Sequence, residues 1–97
     1  MDNFRIESFD NLFEAMLKLK SIEDCRKFFE DVCTIKELRD MSQRLEVAKL
    51  LTEGNNYQDV CRITGASTAT ISRVNRCLLY GKGGYRSVIE SGEKKNG

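Results

Sequence analysis

Five residues between positions 68 and 76 combine small, hydroxyl-bearing and basic side chains at spacings that one face of a helix brings together. They are Thr68, Ala69, Ser72, Arg73 and Arg76. Hydroxyl groups can hydrogen-bond to base edges or phosphates, small side chains permit close approach, and arginine can bind guanine or phosphate. The set therefore predicts a helix face that enters the major groove of DNA. The alternative is an ordinary surface helix whose two arginines are solvated charges.

The residues before this face predict the first helix of a helix-turn-helix at 56–79, a motif whose second helix reads DNA. Asn56 is suited to cap this first helix, which is predicted at roughly 57–63. Its inward residues would be Val60 and Ile63, with Cys61 as the small residue at a close helix crossing.

A turn and a second cap would then orient the reading face. Gly65 stands where a left-handed backbone conformation is needed, and Ser67 is suited to cap the second helix. Residues at three- and four-residue spacing would face the core of the protein. They are Ile71, Val74 and Leu78.

Three amphipathic helices are predicted upstream, beginning after Ser8, Ser21 and Thr34. Gly54 would close the third, long helix. No stretch alternates with period two between turn residues, so the predicted fold is all-α without a sheet. The two short, aromatic-rich helices supply more apolar surface than a chain of 97 residues needs. Part of it is predicted to pack against another subunit, the alternative being a monomeric bundle.

The segment after Tyr80 is predicted to be a glycine-rich turn or hinge followed by a short final helix. That helix would place Val88 and Ile89 against the body of the protein. The chain is thus predicted to form one domain over 1–90, with a disordered polar tail at 91–97.

The net charge of +1 conceals an uneven distribution of charge along the chain. Residues 1–54 carry nine basic and twelve acidic residues, a net charge of −3. Residues 55–86 carry five basic residues against Asp59 alone, a net charge of +4. The positive segment coincides with the predicted helix-turn-helix, so Arg62 and Lys82 join the candidate DNA contacts.

Catalytic and metal chemistry have little support in the sequence. Histidine is absent, and the chain has no phosphate-binding glycine loop and no recognisable pair of catalytic acids. The four cysteines form no CxxC pair, and the helical pattern assigns each to a buried or half-buried face. We therefore expect neither an enzyme nor a metal or other cofactor. No apolar run is long enough to cross a bilayer and no secretory signal is recognisable, so a cytoplasmic location without membrane contact is expected.

The segments RLEVAKLLTEG and NNYQDVCRITGASTATISR resemble the tryptophan repressor superfamily, and STATISRVNRCLLYGKGGYR resembles its YerC/YecD branch. The resemblance runs from about residue 10 to residue 86 and is strongest over 42–86. It implies an intertwined, all-helical homodimer that binds double-stranded DNA as a transcriptional regulator, most simply a repressor. Two reading helices would then meet a near-palindromic operator at half-sites ~34 Å apart.

The resemblance also implies a candidate effector pocket for a small molecule. The superfamily's ligand-binding positions correspond to Thr34, Arg44, Arg73, Val74 and Cys77. Val74 replaces a glycine and would occupy space that an indole needs, while Cys77 replaces a serine with a weaker hydrogen-bonding group. Tryptophan as corepressor is thereby disfavoured. Arg44 and Arg73 would instead pair with local acids, contact phosphates or bind another small anion.

The first functional hypothesis is therefore a dimeric, sequence-specific DNA-binding regulator. The alternative is a protein-interaction module that uses the same fold to dock on another regulator without touching DNA. Assays of binding to DNA fragments separate the two.

Overall fold

The computed structural model describes residues 5–94, with 91–94 described as backbone only. Over this range the chain is all-helical and forms no strand, which confirms the predicted fold class. A 3-10 turn at Ile6–Phe9 precedes the helices. These are α1 (Asp10–Met16), α2 (Ile22–Val32), α3 (Ile35–Thr52), α4 (Tyr57–Thr64), α5 (Thr68–Tyr80) and α6 (Gly84–Lys94).

The chain divides into two compact units, Met1–Ile35 and Lys36–Gly97. The single domain over 1–90 stays a prediction. Helix α6 runs to Lys94, into the stretch predicted as a tail, and residues 95–97 lie outside the described residues. No helix between residues 5 and 94 is both long and apolar enough to cross a membrane.

The first unit has short helices with little burial of its own. Ser21 caps α2 as predicted, because its Oγ accepts a hydrogen bond from the Asp24 N–H at 3.0 Å. The cap predicted at Ser8 is wrong. The Ser8 N–H donates to the Arg5 carbonyl within the 3-10 turn, and α1 begins after Phe9 without a side-chain cap. Neither the turn nor α1 nor α2 buries a single side chain.

The second unit contains the hydrophobic core. Helix α3 begins directly after Thr34 as predicted, and Gly54 follows its end with φ +95°. The core side chains come from α3, α4, α5, α6 and the turn before α5. They are Val47, Ala48, Val60, Ala66, Ile71, Val74, Leu78 and Ile89. The inward positions predicted for Val60, Ile71, Val74, Leu78 and Ile89 are confirmed.

Several apolar side chains predicted to be inward are exposed instead. Ile63 is 50% exposed and Val88 is 63% exposed. Cys61 does not lie at a buried helix crossing, since it is exposed as well. Val60 is the one fully buried side chain of α4, and the three residues that follow it are exposed. The burial predicted for the cysteines is also wrong for Cys25 and Cys77, which are exposed, whereas Cys33 is half-buried.

Gly81 ends α5 in a position where a side chain has no room. Its N–H donates to the Cys77 carbonyl at 2.9 Å, and a Cβ at this position would lie 2.5 Å from that carbonyl oxygen. We expect Gly81→Ala to lower the free energy of unfolding by about 1–3 kcal/mol, because the end of α5 must shift to remove the overlap. Denaturant unfolding at fixed protein concentration measures the change.

Gly84→Ala is the matched control for this prediction. Gly84 is the first residue of α6, and a Cβ there would meet no atom within 4 Å. Alanine should therefore leave the stability unchanged or raise it slightly, because alanine has the higher helix propensity. Equal losses in the two variants would contradict a steric role for Gly81.

Candidate nucleic-acid interface

Helix α4 and the turn after it have the local geometry of a helix-turn-helix. The Asp59 N–H donates to Asn56 Oδ1 at 2.8 Å, which confirms Asn56 as the cap of α4. The helix ends at Thr64, and Gly65 adopts φ +75°, the left-handed conformation that glycine tolerates best. Thr64 Oγ1 donates to the Val60 carbonyl at 2.7 Å and accepts from the Ala66 N–H at 3.1 Å. The Thr64 side chain thus fixes the turn that leads into α5.

Helix α5 begins after an N-cap at Ser67 and has one face toward the core and one face toward solvent. Ser67 Oγ accepts a hydrogen bond from the Thr70 N–H at 3.1 Å, as predicted. The core-facing side chains are Ile71, Val74 and Leu78, each less than 10% exposed. The other face carries the residues predicted to contact DNA. Of these, Thr68, Ala69, Arg73 and Arg76 are exposed, and Ser72 is half-buried.

The basic side chains of the second unit differ in whether an acid neutralises them. Arg62 on α4 is 3.2 Å from Asp59 and forms an exposed ion pair with it. Arg73, Arg76 and Lys82 form no ion pair with any residue between 5 and 90, the range over which side chains are described. The three unpaired cations lie on α5 and directly after it, so this segment presents positive charge to solvent.

Arg86 is one of the five basic residues of the segment 55–86, and its side chain makes a hydrogen bond within the protein. Its Nε donates to the Leu78 carbonyl at 3.2 Å, which links α6 to the end of α5. This bond satisfies a carbonyl in the last turn of α5, where helical carbonyls lack helical partners. Arg86 thus supports the position of α5, a role that its charge alone did not suggest.

The candidate effector residues lie in different environments. Thr34 belongs to the first unit, while the others lie on α3 and α5 in the second. Arg44 is half-buried, Arg73 is exposed, and Val74 is 1% exposed within the core. Cys77 lines a largely apolar cavity of about 470 Å³ together with Leu45, Tyr85 and Val88. Within the second unit, Val74 therefore packs as a core residue, and a pocket at these positions stays a prediction.

One hydrogen bond at the turn between α4 and α5 was not predicted from the sequence. Gln43 Nε2 on α3 donates to the Thr64 carbonyl at the end of α4, at 3.2 Å. The two residues are 21 positions apart, and no local pattern connects them. Among the side chains of residues 5–90, no group of three or more cysteine and acidic residues is arranged to hold a metal ion.

These features define a helix-turn-helix protein in which a capped, partly basic second helix is held against a small helical core. The family model described as Trp repressor protein matches residues 7–93. The chain belongs to this family, which confirms the resemblance found in the sequence.

Relatives of known sequence or structure agree with this assignment. The YerC protein of Bacillus subtilis (strain 168) is 50% identical over 90 residues, which cover 93% of this chain and 86% of that protein. A TrpR-like protein from Eubacterium eligens ATCC 27750 is 53% identical with a TM-score of 0.84, and 90% of each chain is covered. A candidate Trp repressor from Staphylococcus aureus is 43% identical with a TM-score of 0.86, over 92% of this chain and 89% of that one.

Proposed function

We propose that this protein is a sequence-specific DNA-binding transcriptional regulator, acting as a repressor. One observation carries the proposal: helix α5 buries its apolar face and leaves an exposed face of small, hydroxyl-bearing and unpaired basic side chains. A helix of this kind in a helix-turn-helix is suited to the major groove. Family membership supports a regulator of this class.

The exposed face divides naturally between base reading and phosphate contact. Thr68, Ala69 and Ser72 lie in the first turns of α5, where a recognition helix meets base edges. Arg73 and Arg76 lie further along the helix, and neither has an acidic partner among residues 5–90. We assign the first group to sequence discrimination and the two arginines to phosphates. Arg62 and Lys82 would add phosphate contacts on either side of α5.

The proposed regulator is a homodimer. Helices α1 and α2 bury no side chain within the chain, and Leu17 and Ile22 are 83% and 71% exposed. Exposed apolar side chains on amphipathic helices are suited to burial against a partner. A second copy of the chain would cover them and would also supply a second α5 for a two-fold symmetric operator.

We propose no tryptophan corepressor for this chain. Val74 is almost fully buried among core side chains, so the space that a glycine would leave for an indole is filled. The exposed guanidinium of Arg73 is assigned to phosphate contact instead. No catalytic role is proposed either, and a regulator of the chromosome would act in the cytoplasm.

Selection of bound sequences from a random pool of double-stranded DNA tests the proposed function. We expect enrichment of a near-palindromic site, and multi-angle light scattering should give the mass of two chains of 11.1 kDa. Competition with unrelated DNA at moderate salt then measures the specificity ratio. Binding no tighter than to unrelated DNA would reject the proposal and favour a protein-interaction module.

A further inference from the structure

A surface groove in the second unit lies between α3 and the end of α4, beside the turn that leads into α5. It is lined by Arg39, Ser42, Gln43 and Glu46 of α3 and by Ile63 and Thr64 of α4, and its volume is about 440 Å³. The hydrogen bond from Gln43 to the Thr64 carbonyl ties the two sides of the groove together. The side chains that α3 presents here are therefore held next to the helix-turn-helix.

Arg39 lies one helical turn before Gln43, on the same side of α3. It lines the groove next to the end of α4 and is exposed to solvent. It forms no ion pair with any residue in the described part of the chain, unlike Lys36, whose Nζ lies 2.9 Å from the Asp40 carboxylate. Arg39 is thus an unneutralised cation that α3 places beside the turn before the reading helix.

We propose that Arg39 contacts a phosphate of the DNA backbone and so extends the interface from α5 onto α3. The inference rests on the proposed function, because it requires α5 to lie in the major groove. A guanidinium at the edge of such a helix is suited to a flanking phosphate, where it adds affinity and fixes orientation without reading bases.

Glu46 limits how far this contact can extend along α3. It lies seven residues after Arg39 in the same groove, about 10.5 Å further along the helix axis. Its carboxylate would repel a phosphate at that end of the groove. The phosphate is therefore placed at the Arg39 end of the groove.

The test compares Arg39→Ala with Lys36→Ala in the full-length protein, bound to the operator that the selection yields. Each change removes one positive charge from an exposed position of α3, but Lys36 is already paired with Asp40. We expect Arg39→Ala to reduce the slope of log affinity against log salt by about one unit and to weaken binding about tenfold at low salt. Lys36→Ala should leave the slope unchanged.

Two further variants make the result specific to a phosphate contact. Arg39→Lys keeps the charge and should recover most of the slope, while Glu46→Gln should raise affinity a few-fold by removing the repulsion. Equal slopes for Arg39→Ala and the wild type, or equal losses for Arg39→Ala and Lys36→Ala, would overturn the inference while leaving the proposed function intact. A wild-type protein that fails to prefer its operator over unrelated DNA would reject both.

Discussion

Replacing Ile71 with alanine is expected to lower the free energy of unfolding by about 2–5 kcal/mol. Ile71 is 0% exposed and is among the largest fully buried side chains, together with Val47, Val60 and Val74. Its truncation removes apolar burial and leaves a cavity between α5 and the rest of the core, which this small unit has few other side chains to fill. Denaturant unfolding at one fixed chain concentration measures the loss, since a dimer's stability depends on concentration.

Ile63→Ala is the matched control for this result. It makes the same truncation on the neighbouring helix α4, at a side chain that is 50% exposed. A loss below about 1 kcal/mol is expected, because less apolar area leaves contact with the protein. If the two variants lose equal stability, Ile63 is buried in solution by a second chain, and the core described for the isolated chain is incomplete.

The contrast between Val60 and Ile63 on α4 shows which part of the core the sequence could predict. Val60 and Ile63 both fit a helical apolar pattern, and both were predicted to face inward. Three residues along an α-helix correspond to a rotation of about 300°, so the two side chains are separated by roughly 60° around α4. Which of them the core covers depends on the neighbouring helices, and the sequence of α4 contains no information about those.

Local interactions, by comparison, were predictable. The caps at Ser21, Asn56 and Ser67 each join a side chain to a backbone N–H three residues later, so each is specified within one turn of helix. The left-handed backbone at Gly65 follows in the same way from its place after a helix. The helix-turn-helix could be found from the sequence because its signals are of this short-range kind.

Contacts between distant segments could not be predicted. The bond from Gln43 to Thr64 spans 21 residues and joins α3 to the end of α4. Val47 of α3 was not predicted as a core residue, yet it is 0% exposed. The groove that contains Arg39 was missed for the same reason, since it exists only once α3 and α4 are packed together.

The exposed apolar residues of the first unit show a second feature that the sequence could predict only in part. Their spacing correctly predicted amphipathic helices, and the sequence also showed more apolar surface than a chain of this length needs. Within the single chain no side chain of α1 or α2 is fully buried. The amphipathic pattern therefore fits the surface of the proposed homodimer. From the sequence alone, such an interface cannot be distinguished from an internal core.

Replacing both Arg73 and Arg76 with alanine is expected to have the largest effect on DNA binding. Both arginines are exposed on α5 and are unpaired among residues 5–90, so their full charge is available to phosphates. Each lost phosphate contact should reduce the slope of log affinity against log salt by about one unit. The double variant should therefore lose about two units and bind on the order of 100-fold more weakly at ~0.1 M salt. Fluorescence anisotropy with labelled operator DNA over a range of salt measures both quantities.

Arg26→Ala controls for the loss of positive charge as such. Arg26 is an exposed arginine of α2 that lies 4.0 Å from Glu23, and its removal should leave the slope unchanged. Thr68→Ala and Ser72→Ala should behave differently from both, lowering the preference for the operator over unrelated DNA with little change in the salt dependence. If the arginine variants instead lose specificity while their slope is retained, then Arg73 and Arg76 read bases. The division of α5 into a base-reading start and a phosphate-binding continuation would then have to be reversed.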